Sequence, residues 1–123
     1  MRIIVVVLLL SALASAAPAA SPVSGDWDSV ITVRDINLRL ALHVTDTGKG
    51  LKATFDSIDQ QAMGLAVDRV ELKGQKFEFD LNVIMAKYTG VLQPDGKTIK
   101  GSWEQLGMSF PVNFQKAAPA ASK

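Results

Sequence analysis

The feature that most constrains the fold of this chain is a regular alternation of apolar residues with other residues. In the stretch INLRLALHVT, every second residue from Ile36 to Val44 is a large aliphatic one. The same period recurs in KFEFDLNV, which begins at Lys76, and in SFPVNF, which begins at Ser109. Because successive side chains of a β-strand point to opposite faces, this period predicts strands that are buried on one face and exposed on the other.

Read in this way along its length, the sequence predicts eight strands. Their ranges are 27–33, 36–45, 51–57, 67–72, 76–83, 86–92, 98–105 and 108–114. Short turn sequences separate most of them, including DTGKG, PDGK and the corners at Gly74 and Gly107. Because such short connections join neighbouring strands in opposite directions, the chain is predicted to be an antiparallel meander.

A meander with one apolar face buries that face by closing into a barrel or by folding over into a sandwich. Gly90 and Gly101 favour the barrel because lone strand glycines mark the bends of a closing sheet, whereas ordinary bulges in an open sheet are the other reading. Both share an alternation face with an aromatic residue, Tyr88 or Trp103, whose ring can cover the bare backbone. We therefore predict an all-β fold, a single eight-stranded antiparallel meander closed into a small lipocalin-like barrel, with a β-sandwich as the alternative.

One connection is longer than the others. The stretch SIDQQAMGLAV, residues 57–67, carries Met63 and Leu65 among polar residues. On the strength of these two apolar side chains, we expect the stretch to cross one end of the barrel as a capping loop.

The N-terminal residues have the pattern of a secretory signal peptide. One positive charge at Arg2 is followed by an apolar run and by the small-residue triplet that ends at Ala16, which predicts a signal peptide over residues 1–16. The strongly apolar run of about a dozen residues is shorter than the ~20 that a membrane-spanning helix needs. We expect a secreted protein, periplasmic or extracellular, that has no membrane association after cleavage.

The remaining chain is predicted to form one domain that is flanked by a flexible segment on each side. Residues 17–25 are expected to be a flexible linker and residues 117–123 a disordered tail, because both are poor in large apolar residues. The barrel domain then covers residues 26–116. Loss of Arg2 leaves 12 basic residues against 12 acidic ones, so no bulk field attracts nucleic acid.

The sequence offers little material for catalysis. His43 is the single histidine, the alternation places it on an outer face, and no G-x-S-x-G elbow is present. The chain has no cysteine, which removes thiolate metal ligands and a lipid-anchoring cysteine. Asp56 and Asp59 form a close carboxylate pair that is expected to bond backbone amides, with acid/base work or calcium binding as the alternative. We expect no enzyme, no catalytic or metal-binding residues and no cofactor.

Several short motifs together resemble a known kind of domain. They are G-x-W from Gly25, L-R-L-x-L-H-V over 38–44, L-x-A-T-x-D-S-x-D-Q over 51–60, and Y-x-G-x-L-x-x-D-G-x-x-I-x-G-x-W-x-Q over 88–105. The set resembles the small N-terminal β-domain of secreted bacterial α/β-hydrolases and of some β-lactamase-like serine hydrolases. Ser29 and Gln61 stand where such domains often carry glycine. The resemblance implies an accessory β-barrel without catalytic residues, here standing alone.

Two functions are open at this point. The favoured one is a secreted, non-catalytic accessory or interaction module that associates with a separately encoded hydrolase or another envelope protein, for which the outward Val30, Val67 and Val91 are candidate contacts. The alternative is a binding protein for a small apolar ligand, because the interior of an eight-stranded barrel holds either side chains or one such molecule. The residues predicted to line that interior are Leu40, Leu42, Phe55, Phe77, Phe79, Tyr88 and Trp103.

Overall fold

The computed structural model describes residues 21–117, which form one curled antiparallel sheet in the shape of a half-barrel. Within that range there is no α-helix, and the only helical segments are single 3-10 turns at Ile58–Gln60 and Asn82–Ile84. The nine strands are β1 (Gly25–Val33), β2 (Ile36–Asp46), β3 (Leu51–Ser57), β4 (Ala62–Ala66), β5 (Arg69–Lys73), β6 (Lys76–Leu81), β7 (Ala86–Leu92), β8 (Thr98–Gln105) and β9 (Met108–Lys116). The all-β prediction is confirmed. The predicted signal peptide and most of the predicted tail lie outside the described residues.

The strands lie in the order β4-β3-β2-β1-β9-β8-β7-β6-β5, and every neighbouring pair is antiparallel. Sequential hairpins build each half of the sheet. The first and last strands join the two halves through a short ladder, in which Trp27 lies opposite Lys116 and Asp28 opposite Gln115. The curl of the sheet brings its apolar face inside.

The prediction of a capping loop at residues 57–67 is wrong, and the strand count is nine instead of eight for this reason. Gln61 adopts a left-handed conformation with φ of 56°, which ends the 3-10 turn and lets the chain fold back along β3 as strand β4. Leu65 lies opposite Phe55 and packs against the core, whereas Met63 is exposed on the outside.

Strands β4 and β5 follow each other with only Val67 and Asp68 between them. The N–H of Val67 donates to the carbonyl of Ala53 in β3, at 3.1 Å, and the N–H of Asp68 donates to the carbonyl of Asp80 in β6, at 2.9 Å. Successive amides therefore bond to opposite edges of the curled sheet. The chain changes partner at this point.

The interior of the half-barrel is packed with aromatic rings along most of its length. Phe79 stacks on Tyr88 with ring centroids 5.1 Å apart, and Tyr88 meets Phe114 edge-on at the same separation. The Tyr88 hydroxyl donates to the carbonyl of Val112, at 2.7 Å, and lies over the paired Gly90 and Gly101. The expectation that an aromatic ring covers these two glycines is therefore met.

The two ends of the half-barrel differ. We call one the plugged end, formed by the turns at 47–50, 74–75 and 93–97 together with the segment 21–24, and the other the open end, formed by the turns at 34–35, 58–61, 82–85 and 106–107.

Residues just before β1 form the plug. Val23 is fully buried, its carbonyl accepts the indole N–H of Trp27 at 2.9 Å, and the N–H of Ser21 donates to Asp46 at 2.8 Å. Residues 21–25 are thus packed onto the sheet, and the prediction of a flexible linker is wrong for this part of 17–25. An apolar residue among Pro and Ser was sufficient to dock the segment.

Candidate functional site

The open end contains a cavity of about 350 Å³ that reaches into the half-barrel. Five strands and both 3-10 turns contribute to its wall. No lysine, arginine, aspartate or glutamate is among the lining residues. They are Ile31, Val33, Leu38, Leu40, Phe55, Ser57, Gln60, Ile84, Trp103, Gln105, Leu106, Met108 and Phe110.

The floor of the cavity is aromatic. The rings of Phe55 and Trp103 lie 5.2 Å apart, and Phe79 contacts both from below, with centroids 6.1 Å from each. Both floor residues are almost completely buried. Alternation along β3 and β8 turns these side chains inward, and the curl of the sheet brings the two strands face to face. A ligand entering from the open end would therefore meet an apolar surface of tilted aromatic rings.

One polar side chain of the wall is fixed by two hydrogen bonds. Gln105 accepts the indole N–H of Trp103 at 3.1 Å and donates through its amide nitrogen to the carbonyl of Ile84 at 2.8 Å. These bonds satisfy the indole of the floor and tie β8 to the turn after β6. Gln105 therefore contributes order to the wall.

A second polar pair lies at the mouth. The buried hydroxyl of Ser57 donates to the side-chain oxygen of Gln60 at 2.7 Å. Within residues 21–117 the amide nitrogen of Gln60 makes no hydrogen bond, so it can donate to a ligand. The site thus combines an uncharged apolar wall with one free donor, a composition typical of small-molecule pockets.

Exposed apolar side chains lie on the turns of the open end or directly next to them. We call this set the apolar rim, and its members have 50–68% of their surface exposed. They are Ile36, Val83, Met85, Leu106 and Met108. Met85 and Leu106 also have left-handed backbone, with φ of 53° and 51°. A non-glycine residue costs about 1 kcal/mol in that conformation, so these side chains are held at the open end against a conformational cost.

Three of the seven predicted lining residues, Leu40, Phe55 and Trp103, line the cavity. The others, Leu42, Phe77, Phe79 and Tyr88, are fully buried and fill the interior between the cavity and the plugged end.

The alternation in SFPVNF places Phe110 inside, and Phe110 lines the cavity. Sequence reasoning did not single out the remaining apolar wall, which includes Ile31, Val33, Leu38 and Ile84. A usable signal was present. All but Ile84 are the inward residues nearest the hairpins on one side of the meander, and side chains at the same end of successive strands meet in a barrel.

A larger groove, of about 640 Å³, lies where β1 and β9 diverge. There the hydroxyl of Ser29 donates to the carbonyl of Asn113 at 2.6 Å. Its walls carry the charged Asp28, Arg39 and Lys116. Such a surface suits a solvated ligand and lacks the continuous apolar lining of the cavity at the open end.

His43 joins two carboxylates on the outer face of the sheet. Its Nδ1 is 2.7 Å from Asp26 and its Nε2 is 2.8 Å from Asp56. The hydrogen bond to Asp26, followed by that to Asp56, raises the pKa of His43. Burial acts to raise the pKa of Asp56, but the N–H of Gly64 and the His43 ring outweigh it and hold that pKa below its usual value.

The second carboxylate of the predicted pair also bonds a backbone amide. Asp59 accepts the N–H of Arg39 at 2.7 Å and its guanidinium at 2.8 Å. The described part of the chain contains no cluster of three or more histidine, cysteine, aspartate or glutamate residues that could hold a metal ion. On the outside of the sheet, these carboxylates connect strands and turns.

A scan against protein-family models and a search of curated proteins each gave no match. The resemblance to hydrolase-associated β-domains therefore stays a prediction. Between residues 21 and 117, no helix has the length and hydropathy needed to cross a membrane.

Proposed function

We propose that the protein binds a small apolar ligand, or the apolar tail of a longer one, in the cavity at the open end. The observation that carries this proposal is the combination of an uncharged apolar wall with an opening to solvent. A packed core of this size has no need of such a space, because unfilled volume lowers stability.

The volume limits the ligand. Pockets that enclose drug-sized molecules measure roughly 300–1,000 Å³, and this cavity of about 350 Å³ lies near the lower limit. The packed rings of Phe79 and Tyr88 prevent deeper entry. An unbranched aliphatic chain, inserted end-on with its polar part near the free amide of Gln60, fits these constraints.

We also propose that strands β4 and β5 together close the half-barrel into a barrel. Because β4 and β5 form one nearly continuous segment that bonds first to β3 and then to β6, we propose that this segment acts as a single bent strand of an eight-stranded barrel. Such a segment would hold β3 and β6 in place on the two sides of the aromatic interior.

The three valines predicted to be outward do not form a contiguous surface that would support the alternative role as an interaction module. The prediction is wrong for Val67, which packs against the core, and only Val30 and Val91 are exposed. Val91 lies opposite Lys100, and Lys100 lies opposite Asn113, so two polar residues separate it from Val30 on β1. Association with a separately encoded hydrolase, secretion, and the lack of catalysis rest on the sequence patterns alone. Ligand binding is therefore placed first.

The test uses the uncharged fluorescent probe N-phenyl-1-naphthylamine, titrated into the purified protein and displaced by 1-decanol. The wild-type protein is expected to bind the probe saturably. Val33→Phe fills the cavity and is expected to weaken binding at least about tenfold, a change of 1.4 kcal/mol. Val30→Phe, three residues away on the outer face of the same strand, is the matched control and should bind like wild type.

Intrinsic fluorescence provides a second readout. The chain has two tryptophans, Trp27 at the plugged end and Trp103 on the floor of the cavity. In a Trp27→Phe protein, emission from Trp103 should shift when 1-decanol binds. Absence of saturable probe binding together with an unchanged Trp103 spectrum would refute the proposal.

A further inference from the structure

The apolar rim is not explained by folding. Its five side chains lie at the hairpin tips of the open end, while the other large exposed apolar residues, Val30, Met63 and Val91, are scattered over the outer face. Monomeric proteins seldom gather exposed apolar side chains in one place unless that place contacts something.

Two of these side chains stand at positions where other residues would be less costly. Glycine or asparagine adopts a left-handed backbone more readily than the methionine at position 85 or the leucine at position 106. The turns of the plugged end use glycine for this conformation, at Gly74 and Gly96 for example. The open end therefore keeps apolar side chains despite both strain and exposure, which indicates that they contact a partner.

The composition of the rim indicates the partner. The rim consists only of aliphatic and methionine side chains and lacks the tryptophan, tyrosine and arginine that dominate the hot spots of protein interfaces. These side chains project from separate hairpin tips, which suits a fluid apolar phase that needs no complementary shape. Two of them, Leu106 and Met108, also line the apolar cavity, so the same phase could supply its ligand.

The charges next to the rim are balanced. Arg34 and Asp35 occupy the same turn, and Lys87 lies opposite Glu104 on neighbouring strands. Because these charges cancel, the open end has no net attraction to a positively or a negatively charged surface, which favours a partner of no net charge.

We propose that the apolar rim docks the open end onto an uncharged lipid surface, with the hairpin tips in the boundary between headgroups and acyl chains. The mouth of the cavity then faces the hydrocarbon. Docking itself depends only on the rim, whereas delivery of an acyl chain into the cavity rests on the proposed function.

The experiment is flotation of the purified protein with phosphatidylcholine vesicles, at low and at high salt. Wild type is expected to float with the vesicles to the same extent at both salt concentrations. The double variant Met85→Asn, Leu106→Asn keeps residues that tolerate left-handed backbone and removes two rim side chains. Its vesicle partition coefficient should fall at least about tenfold, because two apolar side chains no longer enter the apolar phase.

The matched control is Val30→Thr, Val91→Thr, which removes the same number of exposed apolar residues outside the rim. It should float like wild type. No flotation of wild type, equal losses in both double variants, or a wild-type dimer that Met85→Asn, Leu106→Asn dissociates would overturn docking to lipid, the last in favour of a second copy. Probe binding without vesicles is measured separately, so failure of docking and failure of ligand binding are distinguishable.

Discussion

The turns at the two ends of the half-barrel use different residue types at their left-handed positions. At the plugged end, the tight turns take their left-handed residues from glycine, and Asp46 and Asp95 accept backbone N–H groups within their turns. At the open end, most left-handed positions are filled by residues with side chains. These are Arg34, Asp35, Gln61, Met85 and Leu106.

The two ends of the half-barrel also differ in how completely their interiors are packed. Val23 and Trp27 close the plugged end with fully buried apolar surface, whereas Val33 and Leu38 at the open end are only partly buried around a cavity. The plugged end therefore has both unstrained glycine turns and a fully buried interior, the two features that favour stability. The other end retains strain, exposure and empty volume together, a combination that indicates binding.

The largest effect is expected in the packed part of the interior, at Gly101. A Cβ there would lie 2.5 Å from the Tyr88 hydroxyl and 2.6 Å from the Cα of Gly90. Gly101→Ala should lower the free energy of unfolding by about 3 kcal/mol, because backbone atoms cannot move aside. Denaturant unfolding measures the loss. Lys100→Ala, on the exposed neighbour, should change stability by no more than about 0.5 kcal/mol, and equal effects would show that the interior is loosely packed.

The same truncation at the two ends compares them directly. Val23→Ala removes two methyl groups from a fully buried site and should cost about 2 kcal/mol. Val33→Ala enlarges a cavity that already exists and should cost less than about 1 kcal/mol. Thermal unfolding of both variants checks the difference. If Val33→Ala were the more damaging of the two, the open end would be a part of the core.

Exchanging the turn residues should shift stability in opposite directions. Leu106→Asn is expected to raise the free energy of unfolding by about 0.5 kcal/mol, because asparagine tolerates left-handed backbone. Gly74→Ala places a Cβ in open space at φ of 60° and should lower it by about 1 kcal/mol through strain alone. The melting temperatures should diverge accordingly. A loss of stability in Leu106→Asn would mean that the rim contributes to folding.

The smallest effect concerns the outer face between the two ends. Hydrogen bonds raise the pKa of His43 above its ordinary value of 6.5, so the folded state binds the proton more tightly than the unfolded state. The stabilisation is complete below that value and is lost as pH rises through the higher folded pKa. Because His43 is partly exposed, we expect less than about 1 kcal/mol.

The pH effect has a definite location. Asp56 bonds both His43 and the N–H of Gly64, which lies in β4. Deprotonation of His43 should therefore loosen β4 before the other strands. Hydrogen exchange at pH 6 and pH 8.5 should show faster opening of β4 at the higher pH, after correction for intrinsic rates. In His43→Asn the opening free energy of β4 should lose this pH dependence, and its persistence would assign the effect to another group.

Much of the fold could be predicted because one face of each strand is apolar. The alternation placed Leu40, Leu42, Phe77 and Phe79 inside, and all four are buried. The paired glycines under Tyr88 were predictable for the same reason, since bare backbone in a buried strand needs a ring to cover it.

Features that depend on a single backbone conformation could not be predicted. Glutamine is not a residue type that predicts a left-handed φ, so the turn at Gln61 could not be predicted. Without that turn, the sequence of β4 is interpreted as a loop. The cavity was only partly predictable, because the periodic pattern shows which face is inward but not how far Leu42 and Tyr88 fill the interior. Closure of an end by Val23 depends on a single side chain, for which no period exists.

The meeting of the first and last strands has a practical consequence for orientation. The N–H of Ala117 donates to the carbonyl of Asp26 at 2.8 Å, so the polypeptide enters and leaves the sheet at one point, beside the plug. Any tether attached on either side of the domain pulls on that pole alone. Immobilised through such a tether, the molecule presents its mouth outward and unobstructed.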